Sequence, residues 1–367
     1  MTFWSRGRYP LIVGLLGAAG IALGAWLDPR QAWLSYLAAF AAGLSLALGA
    51  LILVMICDLT GARWVVPFRP TALAVLGSLP VFGLLFLPLL AARGELYPMP
   101  TGAADPRRVW LEPAFFLLRA VLYFAVWIAV ATLLRRWDSD RRGRVLSAVA
   151  LPAVGITLTF AAFDWLMSLS PGWVSTIYGV YWFAGGFLAA LALLAITADN
   201  AAPSAVHALG NLLLTFVVFW AYVGFCQYLI IWIGDIPAEV TWYLVRARGS
   251  WGDLAVVLLL GQFLVPFLLL LFRSFKLEPR AVAVLGYWLL LIHYLDNYWL
   301  ILPEAHPSGL HPSWLDVAAI ATVGGFGIGL GSWVMSRGST GVEARPAGPM
   351  TQDPRPTTLR PSPSPRT

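Results

Sequence analysis

Ten apolar stretches of roughly 20 residues, parted by short segments rich in charge, proline or glycine, dominate this chain. They run over 10–27, 31–57, 70–92, 113–134, 145–169, 172–197, 207–234, 251–272, 280–302 and 313–335. A hydrocarbon core about 30 Å thick needs about 20 residues of helix to cross it. In that medium only helices and closed barrels satisfy their own backbone hydrogen bonds. Barrel strands are shorter, about ten residues, and alternate apolar with polar positions. These runs do neither, so the spacing predicts an all-α integral membrane protein with about ten transmembrane helices. Composition excludes a soluble enzyme: 59% of residues are hydrophobic and 11% charged, against about 25% charged in soluble domains. Arg6 and Arg8 before the first run give it the look of a signal peptide. It ends in Leu27-Asp28-Pro29 with no small-residue cleavage site, so it is read as a span.

The net charge of +6 is carried by arginine, Lys276 being the one lysine. With the amino terminus inside, 17 of the 24 basic residues fall on the inner side and 6 on the outer, Arg119 lying within a span. That asymmetry predicts both termini in the cytoplasm and an even number of spans. The excess is a topology signal facing lipid, not a nucleic-acid footprint. Residues 1–336 form one polytopic domain. Residues 337–367, rich in Pro, Ser, Thr and Arg without apolar periodicity, read as a disordered cytoplasmic tail.

The only cysteines are Cys57 and Cys226, and no C-x-x-C or glycine-rich phosphate loop occurs. The sequence therefore offers no attachment for c-type haem, no iron–sulfur ligand set and no structural zinc site. The histidines are His207, His293, His306 and His311. His207 and His293 fall at different depths, which suits no bis-histidine haem. His306 and His311 share one loop, each before a proline, and two ligands make a poor metal site. No cofactor, metal or catalytic residue is expected on this chain.

Ionisable groups inside spans are costly and are usually functional. Arg119 and Asp164 fall about 9 and 8 Å from the outer ends of consecutive helices, so they are placed to pair. Asp296 lies about 9 Å deep, and His293, three positions earlier, shares its face. Gln227 is also in an outer half, and Gln262 is near mid-membrane. One reading is structural, an Arg119–Asp164 ion pair locking two helices. The other is a proton relay or quinol-headgroup pocket open to the outer face, using Asp164, Arg119, His293, Asp296 and Gln227. The aromatics Trp165, Trp173, Tyr178 and Tyr181 beside Asp164 suit such a cleft and equally an interfacial belt. Inner halves hold Thr157, Thr159, Asn211 and Thr215, which carry water but store no proton. Asp164 and Asp296, each followed by aromatics, hint at a parallel repeat of helices 2–5 and 6–9. Glycines at 14, 17, 20 and 24, and from Gly324 to Gly331, predict two peripheral helices that pack closely on the two bundles or on partner subunits. The segment 238–248 suits a short interfacial helix that docks an external protein.

The run FDWLMSLSPGWVSTIYGVYWFAGG at 163–186 resembles a motif of the membrane subunits of alternative complex III. That complex is a bacterial quinol:electron-acceptor oxidoreductase related to the polysulfide-reductase membrane-subunit superfamily. The segments FWAYVGFCQYLIIWIGDIPAEVTWYLVRARGSW at 219–251, VPFLLLLFRSFK at 265–276 and HYLDNYWLILPE at 293–304 resemble its F subunit. The resemblance implies two four-helix bundles with two flanking helices in a bacterial inner membrane. It implies partner subunits with multihaem cytochrome c and iron–sulfur clusters, and a homologous quinol-binding membrane subunit. Asp164 matches an aspartate of the quinol motif, but no histidine stands between positions 1 and 206. The implied role is therefore that of a non-catalytic subunit giving support and conducting protons. Two rivals are a free-standing transporter or proton channel and a purely structural anchor.

Overall fold

The computed structural model describes residues 8–97, 100, 105, 107–138 and 141–338. Helices are its only regular secondary structure, with no strand among the described residues. The long ones are α1 (Arg8–Leu27), α2 (Pro29–Thr60), a broken α3 (Arg69–Ala91), α4 (Pro113–Arg136), α5 (Arg141–Trp165), α6 (Tyr178–Ile196) and α7 (Pro203–Gly234). A short α8 (Pro237–Arg246) follows, then α9 (Gly249–Leu271), α10 (Pro279–Ile301) and α11 (Trp314–Gly338). Eight helices are long and apolar enough to cross a membrane: α1 to α7 and α9. The all-α multi-pass architecture expected from the sequence is present. The two remaining expected spans coincide with α10, whose 23 residues include His293, Asp296 and Asn297, and with α11.

Boundaries follow local chemistry. Asp28 caps α2, its carboxylate accepting from the Gln31 amide at 3.2 Å, and Pro29 occupies the first turn, where its missing N–H costs nothing. Gly61, at φ 63°, ends the helix in the left-handed region. Glu112 caps α4 through the Phe115 amide at 2.7 Å. Pro80 and Pro88 begin new helical turns and so divide α3 into Arg69–Leu76, Leu79–Leu85 and Leu87–Ala91. The helix expected over 172–197 starts only at Tyr178, because Pro171 and Gly172 hold a turn. α11 extends to Gly338, beyond the expected 335. The tail expected to be disordered lies, from residue 339 on, outside the described residues.

α2 is the hub. It packs against α6, α11, α10, α5, α1 and α3, and nearly its whole length is buried. Lipid tails are as apolar as side chains, so close backbone approach must supply much of the helix association. Gly49 of α2 and Gly186 of α6 meet backbone to backbone; a Cβ on either would strike the other helix's carbonyl oxygens. Gly14 of α1 and Gly325 of α11 make the same contact. The two glycine-bearing flanking helices therefore pack on each other. The far face of α1 (Ile12, Leu16, Leu23, Trp26) is exposed. His306, against Gln31 at the start of α2, marks one end of the bundle, and Arg69, paired with Asp58 near the end of α2, marks the other.

Candidate functional site

Polar groups cannot stay unpaired between apolar helices without cost, and the helices bring them together in at least four places. The first joins α4 to α5. Arg119 donates from Nε to Asp164 Oδ2 at 2.8 Å and from Nη2 to Oδ1 at 3.2 Å. Tyr123 donates its hydroxyl to the same carboxylate at 2.9 Å. The guanidinium also gives Nη2 to the Trp110 carbonyl and lies over the Trp110 and Phe115 rings, 4.1 and 4.3 Å from their centroids. A bidentate, ring-stacked arginine is held in one geometry. Asp164 thus has its charge matched on the spot.

Asp296 differs. It is buried on α10, and its carboxylate accepts from the Tyr181 hydroxyl (2.6 Å) and from Trp220 Nε1 (3.2 Å), on α6 and α7. Among the described residues no cation forms an ion pair with it. One turn earlier His293 places Nε2 3.0 Å from Ser45 Oγ and 3.2 Å from the Ala42 carbonyl. Ser45 itself donates to Ala42 O. The serine proton being spent there, the imidazole carries its hydrogen on Nε2, which leaves Nδ1 as a bare acceptor. Nδ1 and Asp296 Oδ2 both lie against Gly185 of α6, 3.4 and 3.5 Å from where a Cβ would stand. A Cβ there would touch both in ordinary van der Waals contact. Asn297 completes the group, accepting from Trp182 Nε1 at 3.1 Å and donating to the His293 carbonyl.

The other two clusters lie toward the His306 end, and sequence reasoning missed both. Asp316, at the start of α11, accepts from Ser35 Oγ (2.5 Å), the Ser313 amide (2.8 Å) and the Tyr298 hydroxyl (3.3 Å). Gln31 adds a 3.4 Å contact to it and pairs with His306 Nε2 at 2.7 Å. Arg246, at the end of α8, is buried over the Trp242 ring and donates to the Leu300 carbonyl (2.7 Å) and to Glu304 (3.3 Å). Burial lowers its pKa to about 10, which still leaves it charged near neutral pH. Ser170 donates to the same Glu304 oxygen at 2.5 Å. Asp316 sits in a first turn and Arg246 and Glu304 lie outside the long apolar runs, so each reads in sequence as a helix edge.

Arg119 and Asp164 are thus one unit, and His293 and Asp296 another. Gln227 belongs to neither; it bridges Ser175 (3.0 Å) and Tyr243 (3.1 Å), tying α7 to α8. Most of the segment 238–248 does form a short amphipathic helix, α8, which ends at Arg246. Gln262 is fully buried in a π-helical turn, Leu259–Leu264, with neither amide atom bonded among the described residues. The same turn frees the Gly261 carbonyl, which accepts from Trp288 Nε1 at 2.8 Å. The His306 and His311 rings lie 4.7 Å apart, and no group of three or more His, Cys, Asp or Glu among the described residues is placed to hold a metal ion. No protein-family model and no curated protein matches the chain.

Proposed function

We propose that this chain is a cofactor-free integral membrane subunit of a quinol-oxidising electron-transfer complex, with a structural role and a proton-handling one. The observation that carries the proton-handling part is Asp296. A carboxyl group inside a membrane bundle, bonded only by neutral donors, changes charge more readily than one locked to arginine. His293, with its free Nδ1 against the same glycine, is its natural proton partner. The quinol complex rests on the sequence resemblance. Its other subunits would carry multihaem cytochrome c and iron–sulfur clusters and a quinol-binding membrane chain, in a bacterial inner membrane with both termini in the cytoplasm.

A second reading, the structural anchor, is favoured by the Arg119–Asp164 pair, whose matched charges and stacked guanidinium suit a fixed joint. Two experiments divide the readings. Affinity purification of the tagged chain from native membranes in mild detergent should bring down haem-bearing and iron–sulfur subunits. A lone polypeptide, from membranes where such a complex survives the detergent, would overturn the complex. Within the assembled complex, Asp296→Asn should leave assembly intact and slow turnover or proton release about tenfold or more, the usual loss for a positioned acid–base group. Unchanged turnover would leave the anchor.

A further inference from the structure

α4 ends at Arg136 and α5 begins at Arg141, where two apolar spans leave the hydrocarbon side by side. Over 135–144 the sequence holds five arginines and two aspartates. Asp138 is engaged by Arg69, which also pairs with Asp58, at 2.5 and 2.7 Å. Arg135 lies against Gly77, just after the first segment of α3. Arg141 and Arg142 are exposed and make no hydrogen bond or ion pair among the described residues. They stand over an open recess of about 730 Å³, walled otherwise by Trp137, Val145, Leu146 and Val149. Gly143 lets the recess form. A Cβ there would come within 2.7 Å of the Trp137 carbonyl oxygen, so a side chain would push Trp137 off the first turn of α5.

Arg141, Val145 and Val149 follow at four-residue steps, and so do Arg142 and Leu146, so charge passes into apolar surface along one face of α5. The same face stays uncovered farther along: Val145, Val149 and Ile156 are 58%, 73% and 58% exposed. From Val145 to Ile156 is about 16 Å of helix, the depth of one leaflet's hydrocarbon, half of about 30 Å. Topology alone asks for the charge but not for the recess or the stripe below it. Two unpaired guanidiniums at headgroup level, above an apolar stripe one leaflet deep, complement an anionic phospholipid, whose charge and chain come in that order. We propose that the recess binds the phosphate group of such a lipid, Arg141 and Arg142 donating to its oxygens. One acyl chain runs along Val145, Val149 and Ile156. A zwitterionic headgroup brings a cation of its own and gains less from the two arginines.

The test uses the full chain in mild detergent, titrated by native mass spectrometry with phosphatidylglycerol and with phosphatidylcholine of the same chains. A basic side chain near an anionic lipid surface is worth about fivefold in affinity. The first phosphatidylglycerol should therefore bind about tenfold or more tighter than the first phosphatidylcholine. Arg141→Gln with Arg142→Gln should remove that preference. Arg142→Gln alone should weaken phosphatidylglycerol binding about fivefold, so the inference stays testable should the double variant misfold. Arg108→Gln with Arg248→Gln takes the same charge from exposed positions elsewhere and should keep the preference. Equal binding of the two lipids, or equal loss in the two double variants, would mean general charge attraction and would overturn the site. Displacement of the lipid by glycerol phosphate at equal concentration would overturn it too, because the stripe would then hold no chain.

Discussion

Arg119→Ala would leave Asp164 as a bare charge between α4 and α5. Breaking one side of a buried pair costs about 3–5 kcal/mol, whereas replacing both sides with neutral groups is often close to neutral. Arg119→Ala should therefore lower the unfolding temperature sharply, and Arg119→Met with Asp164→Asn should recover most of the loss. Thermal unfolding in detergent, with the two single variants and the double, checks it; strictly additive losses would mean that the pair carries no coupling. This pair was legible in the sequence because two charges at one depth on consecutive helices have few other partners. Depth along a helix also placed His293 beside Asp296. It could not show that Tyr181 and Trp220 bond Asp296, because those residues lie on helices whose rotation the sequence leaves open. Tyr181 in particular follows Asp164 closely in the chain and reads as its neighbour, yet its hydroxyl serves Asp296.

Among elements, length and polarity were the legible quantities and crossing geometry was not. Apolar runs and their bounding prolines located every long helix to within a few residues, α6 excepted by six. The glycines of α1 and α11 were recognised as packing faces, but their pairing with each other is a tertiary fact. The more consequential contact, Gly49 on Gly186, hid inside runs of small residues. It sets the approach of the two most buried helices. Gly186→Val would drive side-chain atoms into the Ser45 carbonyl of α2, a clash that only separation of the backbones relieves. The expected result is loss of folded protein, read as aggregation on size-exclusion chromatography. Gly94→Val, in the segment after α3 and with open space at its Cβ, should elute as wild type. A monodisperse Gly186→Val protein would show that α2 and α6 do not cross this closely.

At the scale of the whole molecule, the polar clusters are not evenly spread. Those of Asp316 and Arg246 gather toward the His306 end, and they join segments far apart in sequence: α2, α8, the 302–313 loop and α11. His306 is the titratable link, bonded to Gln31, which in turn contacts Asp316. Burial holds its pKa below the ordinary histidine value, with the like charge of His311 adding to the effect and Asp28 and Asp316 opposing it. In the unfolded chain the same histidine takes up its proton near pH 6.5. Between the two pKa values the unfolded state binds more protons than the folded one, so stability falls as pH falls through that window and is flat above it. The expected outcome is an unfolding temperature that drops as pH falls through and below the ordinary histidine range near 6.5. His306→Asn keeps a hydrogen-bonding side chain but removes the titration, so its decline over the same range should be shallower. Parallel curves for the two proteins would mean that His306 does not couple protonation to this end of the bundle. A shallower curve would show that one imidazole ties the packing of α2 and α11 to the pH of the compartment that this end faces.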